Sequence, residues 1–367
     1  MKIFVILPSL SFTEIAVYEG TEEFMREVIR HSPAEIYSLR TPAEQGRYRF
    51  DAIIERLGAI EYDLKDVEMT VTQVESDKLP PGIYWVEDDL LNFLSRDVIE
   101  ENHLRSGVFA ASLMSRHIEE RFFREIIPLA VQPVIADEIL QEAALSGIKG
   151  VTRSPQYKSL AQRAGIAFYA WLGLRKGMND IRAVSVYLGN HISVGAFDMG
   201  RLADNNCLQD GEGPFSPASS GAIPLDTLID LCYSGKYDME EMLAMVSEKG
   251  GLSAYLEDHT LNYVSEQYRA GNRKVKFLID AMAYSVAREI AAKAVTLRGN
   301  VEIIILVGPW VEFDEFVDLI KEQVEWISPV VSFEFSGELL TLSITAEKSF
   351  AGGYRILRYG RDRQEYR

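Results

Sequence analysis

Residues 5–20, VILPSLSFTEIAVYEG, and residues 186–200, VYLGNHISVGAFDMG, follow one grammar. Each has a β-branched run, a short polar turn, a second apolar run with strand alternation, and a closing glycine. That pattern reads as a β-hairpin, because period-two burial suits a pleated strand and the turn residues suit the reversal. A third strand, RLADN at 201–205, follows the second copy. Two copies of one supersecondary unit some 180 positions apart imply a duplicated α/β domain with a cleft between the halves. At 367 residues the chain also exceeds what one core organises.

Between and after the copies lie helical patterns with recognisable ends. They cover 90–100, 107–125, 157–176, 225–232, 239–247, 274–298 and 314–324, with a short helical segment at 134–140. Residues 21–31 also read as a helix or the start of a longer excursion, and 349–359 as a final helix interrupted by Gly352 and Gly353. VEIIILVG, 301–308, reads as a buried parallel strand opening a βα turn.

Charge narrows the function classes. Lys and Arg total 38 against 55 Asp and Glu, a net −17. Nothing offsets phosphate repulsion, so nucleic acid and anionic membranes are poor partners. Any phosphate site would need local neutralisation by main-chain N–H groups or a metal ion. Cys207 and Cys232 form no C-x-x-C pair, which suits a reduced cytoplasmic protein. No apolar run reaches the roughly 20 residues of a membrane span, and the N-terminal run, broken by Pro8, reads as a strand rather than a signal peptide. His31, His103, His117, His191 and His259 show no metal-ligand spacing. Cys207 sits in a glycine-rich loop without a histidine companion, and Cys232 is expected in the core of its helix.

The strongest local signal is DNNCLQDGEGPFSPASSGAIP, 204–224, whose close glycines would let the main chain approach a ligand. DGEGPFSP is followed in order by SGKYDMEEM, KGGLSAYL and AMAYSVAREI, and preceded by IAVYEG, VQPVIADEI and GNHISVG. In this order and spacing the motifs resemble the butyrate kinase branch of the acetokinase family. The resemblance implies duplicated RNase-H-like domains of the actin and sugar-kinase type, with nucleotide in the interdomain cleft. It places an N-terminal domain at 1–150, completed by 346–367, and a C-terminal domain at 151–345. It also implies ATP with Mg²⁺ as donor, a short-chain carboxylate as acceptor, and a homodimer built through the second domain.

Residue by residue the match is incomplete. The family's first phosphate loop, Asn-Pro-Gly-Ser-Thr-Ser-Thr-Lys, corresponds here to Leu7-Pro8-Ser9-Leu10-Ser11-Phe12-Thr13-Glu14. The glycine is gone and Glu14 replaces the cation, so a triphosphate would meet repulsion. The second hairpin reads Tyr187-Leu188-Gly189-Asn190-His191. By resemblance, nucleotide contacts fall at Gly189, Asn190 and Ser193, at Asp210, Gly211 and Gly213, and at Gly308. One family arginine corresponds to Thr72 or Gln73 and the other to Ser219. One histidine corresponds to Asn102, with His103 adjacent, and the other to Lys158. Gln132 replaces an aspartate, and Val307-Gly308-Pro309 an adenine-side Thr-Gly-Gly. Glu347 is the retained metal-side carboxylate. Phosphoryl transfer depends on positioning and charge neutralisation, so these losses imply an impaired kinase. Two rival readings stand beside it. One is an active acyl kinase with Lys158, His103 and His191 as replacement groups beside Glu347 as a catalytic and metal-side carboxylate; the other is a non-catalytic partner of an acyl-phosphate enzyme.

Overall fold

The computed structural model describes residues 1–9, 11–74, 79, 82–96, 102–132, 139–153, 158–170, 180–207, 211–333, 337–351 and 355–361. The chain forms two compact units, one of residues 1–135 with 338–367 and the other of 136–337. Their boundaries fall at 135 and 337, where the sequence reading has 150 and 345.

In the first unit, β1 (Lys2–Pro8), β2 (Phe12–Glu19) and β3 (Glu22–Arg30) form an antiparallel meander. Helices α1 (Pro33–Ser38) and α2 (Pro42–Ala59) follow. The start of α2 is fixed by Pro42 in its first turn and by a capping box, in which Thr41 and Glu44 bond each other's backbone N–H. Next come β4 (Val67–Gln73), β5 (Gly82–Trp85), α3 (Asp88–Arg96), α4 (Asn102–Phe122) and β6 (Ile127–Gln132). Strand β1 pairs parallel with β4, and β4 parallel with β6. Phe4, Ile6, Ile15 and Val17 bury one sheet face against Ile53 and Leu57 of α2 and Met114 and Ile118 of α4.

The second unit contains α5 (Gln141–Ala144), α6 (Ser159–Tyr169), β7 (Ala183–Leu188), β8 (Ile192–Asp198), β9 (Arg201–Asn205), α7 (Leu225–Tyr233) and α8 (Met239–Ser247). It continues through α9 (Leu261–Arg269), α10 (Arg273–Thr296), β10 (Ile303–Val307), α11 (Asp314–Val324) and β11 (Val330–Phe333). Its sheet runs β11-β10-β7-β8-β9, which repeats the β6-β4-β1-β2-β3 order of the first unit. In both, an antiparallel meander joins two further parallel strands through its first strand. The duplication read from the two hairpins is therefore present in the topology. The core packs Val184, Val186 and Val194 against Ile279, Met282, Val286 and Ile290 of α10.

Helix α12 (Gly337–Phe350) and strand β12 (Ile356–Leu357) then return to the first sheet, β12 pairing parallel with β5. Two expectations are corrected here. Among the described residues of 349–359, Ser349 and Phe350 end helix α12 and Ile356–Leu357 form strand β12, so the span is not one helix. Within residues 21–31, Glu22–Arg30 is strand β3: only Met25 is buried in it, and pairing with β2 overrides the helix-like spacing of its charges. The segment 134–138 lies outside the described residues. Among the described residues no helix is long and apolar enough to cross a membrane.

Candidate functional site

The tip of the first hairpin is a closed turn. The Ser9 N–H donates to the Phe12 carbonyl at 2.8 Å, and the His31 N–H to the Ser11 carbonyl at 2.7 Å; Leu10 lies outside the described residues. Glu14 is only 6% exposed and accepts from Arg26 Nε at 2.8 Å. The repulsion expected of Glu14 is thus internally neutralised. What the loop lacks is the family's cation, not freedom from an anion.

Thr72 is fully buried in β4, its hydroxyl donating to the Gln73 carbonyl at 3.3 Å. A Cβ on Gly107 of α4 would lie 2.5 Å from that hydroxyl oxygen, so the helix seals this place. Gln73 and Gln132 are also buried. His103 falls in the first turn of α4, and its side chain lies outside the described part. Glu347 is half-buried in α12. Among the described residues no three His, Cys, Asp or Glu side chains come together as a metal site.

In the second unit the glycine-rich loop is knotted by its own main chain. Ser216 Oγ donates to the Asn190 carbonyl at 2.6 Å and Ala218 N–H to the same oxygen at 2.9 Å. Gly250 N–H reaches the Ala218 carbonyl at 3.0 Å, and Leu252 N–H the Ser216 carbonyl at 3.1 Å. The KGG and GPFSP motifs are therefore one structure. Gly251, at φ +61°, has the Ser216 carbonyl oxygen where a Cβ would stand, 1.7 Å away. Gly213, at φ +77°, sits over the Asn206 amide, and a Cβ on Gly211 would meet Val246. Gly308, at φ +105°, lies against the Leu188 carbonyl, with 2.5 Å left for a Cβ. At Gly213, Gly251 and Gly308 the direction a Cβ would take is filled by a neighbouring amide or carbonyl, and at Gly211 by the Val246 side chain.

Ser193, fully buried, bonds Asn205 Oδ1 at 3.2 Å and faces the interior. Ser219 is buried and pairs with Ser216 at 2.6 Å. Gly189 is buried and Asn190 exposed at the turn, and Asp210 lies outside the described residues. Lys158 stands at the N-terminal edge of α6. Burial pushes the His191 pKa down, the Lys158 charge lowers it further, and Glu248 partly opposes. Lys158 and His191 are thus brought into electrostatic contact at the second hairpin.

Charge in this unit concentrates behind the loop. Arg153 holds Glu212 through two bonds, Nε–Oε1 at 2.8 Å and Nη2–Oε2 at 2.9 Å, and reaches Asp204 at 3.3 Å. Buried Lys293 bonds Asp204 at 2.9 Å. Burial works against the Glu212 charge, but Arg153 and the Cys207 N–H outweigh it and hold the carboxyl below its usual range. Cys207 is buried; Cys232, expected in the core, is exposed on α7.

Sequence reasoning assigned nothing to two interior arginines of the first unit. Arg49 of α2 has no exposed surface and Arg105 of α4 is 3% exposed. No motif marks either one, and an arginine on an amphipathic helix reads as solvent-facing. Among the described residues, the places that resemble the family's two arginines hold Thr72 and Ser219, which supply no cation. The residues at these places do not fit a Mg–triphosphate as the family holds it.

No family profile matches the chain. Butyrate kinase 1 of Clostridium acetobutylicum is 29% identical over 367 residues, covering 100% of this chain and 99% of its own length. A probable butyrate kinase of Listeria monocytogenes is 31% identical over 351 residues, 95% of this chain and 96% of the relative. Among solved structures, Porphyromonas gingivalis acetate kinase superposes with a TM-score of 0.69 at 12% identity, over 94% of this chain and 99% of that one. A propionate kinase from Francisella tularensis gives 0.66 at 12% identity, over 94% and 98%. These structures establish the fold, that of the acetate and propionate kinases. With both sheets, the ordered motifs and full-length similarity in agreement, the chain belongs to the butyrate kinase family.

Proposed function

We propose that this chain is a carboxylate kinase by descent in which phosphoryl transfer from ATP to a short-chain acid is lost or severely reduced. The observation that carries the reading is the fate of the two places where the family has arginine. Thr72 is sealed under α4, and Ser219 is bonded to Ser216 inside the loop. Removing one group that stabilises the transition state commonly costs about a hundredfold or more in rate, and a lysine such as Lys158 cannot copy a bidentate guanidinium.

The test is a hydroxamate trap with acetate, propionate, butyrate and branched acids, with Mg–ATP as donor and the Clostridium acetobutylicum relative as positive control. Background rates are expected. Turnover above about 1 s⁻¹, the low end for ordinary enzymes, would favour the rival reading of an active kinase. Lys158→Ala should then abolish it, because Lys158 is the cation at the second hairpin that acts on His191. A role as non-catalytic partner of an acyl-phosphate enzyme is the third reading, for which background rates are a precondition.

A homodimer through the second unit belongs to the same proposal. Helix α7 buries none of its residues, and Leu225, Ile229, Tyr233, Met239 and Leu243 stand exposed on α7 and α8. Beside them Leu228, Cys232, Tyr237, Met242 and Val246 line a cavity of about 320 Å³. Such a surface calls for cover. Light scattering should give about twice the 41.4 kDa of one chain; a monomer at micromolar concentration would refute this part.

A further inference from the structure

Arg49 owes its place to Gly46, three residues earlier in α2. A Cβ at Gly46 would lie 2.4 Å from Phe109 Cβ, so α2 and α4 cross in contact. One turn further on, Arg49 meets Ser106 and the end of the first hairpin. Its Nε donates to Ser106 Oγ at 2.8 Å. Its Nη1 donates to the Phe12 carbonyl at 3.1 Å and to Thr13 Oγ1 at 2.6 Å. Its Nη2 donates to the Ser9 carbonyl at 2.6 Å.

All four acceptors are neutral. A buried cation is ordinarily paired with a carboxylate, and here no carboxylate is among the acceptors or the charges acting on the group. Burial pushes the pKa down to about 10, which still leaves the guanidinium charged at neutral pH.

Arginine can only donate, so Thr13 Oγ1 accepts from it. The same hydroxyl lies 2.7 Å from His31 Nε2, and the direction of that bond depends on the His31 tautomer. Burial and then the Arg49 charge push the His31 pKa down to about 4, so the ring is neutral at neutral pH. Around it stand Arg49, Glu35 and the Tyr48 ring, whose centroid is 5.3 Å away. The His31 main chain closes the arrangement by holding the Ser11 carbonyl.

We propose that Arg49 is a positioning residue for the first hairpin: its unneutralised, three-armed guanidinium holds the tip around Ser9, Phe12 and Thr13 in one conformation and directs a hydrogen-bond relay through Thr13 to His31. The tip is where the family resemblance places a phosphate loop. The relay does not depend on any phosphate reaching it, so the kinase assay and this test fail independently.

The experiment compares the full-length chain with Arg49→Met and Arg49→Lys. Hydrogen exchange is followed by mass spectrometry over residues 8–14, and His31 by NMR. Arg49→Met should raise exchange at the tip about tenfold over peptides of the second unit, and should lift the His31 pKa clearly above its native value of about 4. Arg49→Lys keeps the charge but not the fork. His31 should then stay low while exchange at the tip still rises. If Arg49→Met does not fold, Thr13→Val cuts the relay alone and should change the tautomer balance of His31. Unchanged exchange at the tip in both Arg49 variants, or an unchanged His31 tautomer in Thr13→Val, would overturn the proposal.

Discussion

Gly251→Ala is the sharpest test of how the glycine-rich region is built. The new methyl group would stand 1.7 Å from the Ser216 carbonyl oxygen and 2.7 Å from that of Ser219, both main chain. No rotamer relieves a Cβ, so the Ser216–Ser219 turn must move. Moving it endangers three bonds: Leu252 N–H to Ser216 O at 3.1 Å, Gly250 N–H to Ala218 O at 3.0 Å and Ser253 N–H to Pro217 O at 3.0 Å. At about 1 kcal/mol each these come to about 3 kcal/mol. The left-handed backbone of a non-glycine residue adds about 1 kcal/mol more, for a total of about 4 kcal/mol. Gly235→Ala is the matched control: it has the same handedness, φ +72°, with open space around it, and should cost only the backbone contribution of about 1 kcal/mol. Urea unfolding followed by far-ultraviolet circular dichroism measures both. Equal losses for the two variants would refute the knot.

Three other expectations concern charge and packing. The His31 pKa is pushed down to about 4, chiefly by burial and then by Arg49, from an ordinary value near 6.5. The unfolded chain therefore binds the extra proton first, and up to about 3 kcal/mol of stability is lost as pH falls from about 6.5 to 4; a His31→Gln variant with an equally steep loss over that window would contradict this. Glu212 acts in the same direction below the ordinary carboxylate range, since Arg153 keeps its folded pKa low. Arg153→Met leaves that carboxylate without its bidentate partner and should cost about 3 kcal/mol in a urea melt; a loss under about 0.5 kcal/mol, the scale of an exposed pair, would show the network to be superficial.

The fold was legible where local chemistry and long-range structure agree. The two hairpins carried their alternation in the sequence, and α8 begins where Asp238 and Glu241 make a capping box. Strand β3 was misread because its one buried residue, Met25, leaves no alternation to see, and its conformation is dictated by β2. Cys232 was misplaced because apolar spacing marks the apolar face of a helix without saying whether this chain covers it. For the candidate site, the positions of both hairpins and the loop were legible, but the packing of the glycines was not. A sequence does not show that the Cβ direction of Gly213 or Gly308 is filled by a neighbouring amide or carbonyl. Arg49 was invisible for a related reason, because its burial depends on the helix crossing at Gly46.

The proposed loss of a triphosphate cradle is tested most directly by isothermal titration of the full-length protein with Mg–ATP. The hydrogen-bonded turn at Ser9–Phe12, the buried Thr72 and the internally bonded Ser219 put no cation where the family has its loop lysine and its two arginines. The expected result is no heat above dilution until the nucleotide reaches about 1 mM, equivalent to a binding free energy weaker than about −4 kcal/mol. A stoichiometric isotherm with a micromolar Kd would contradict it.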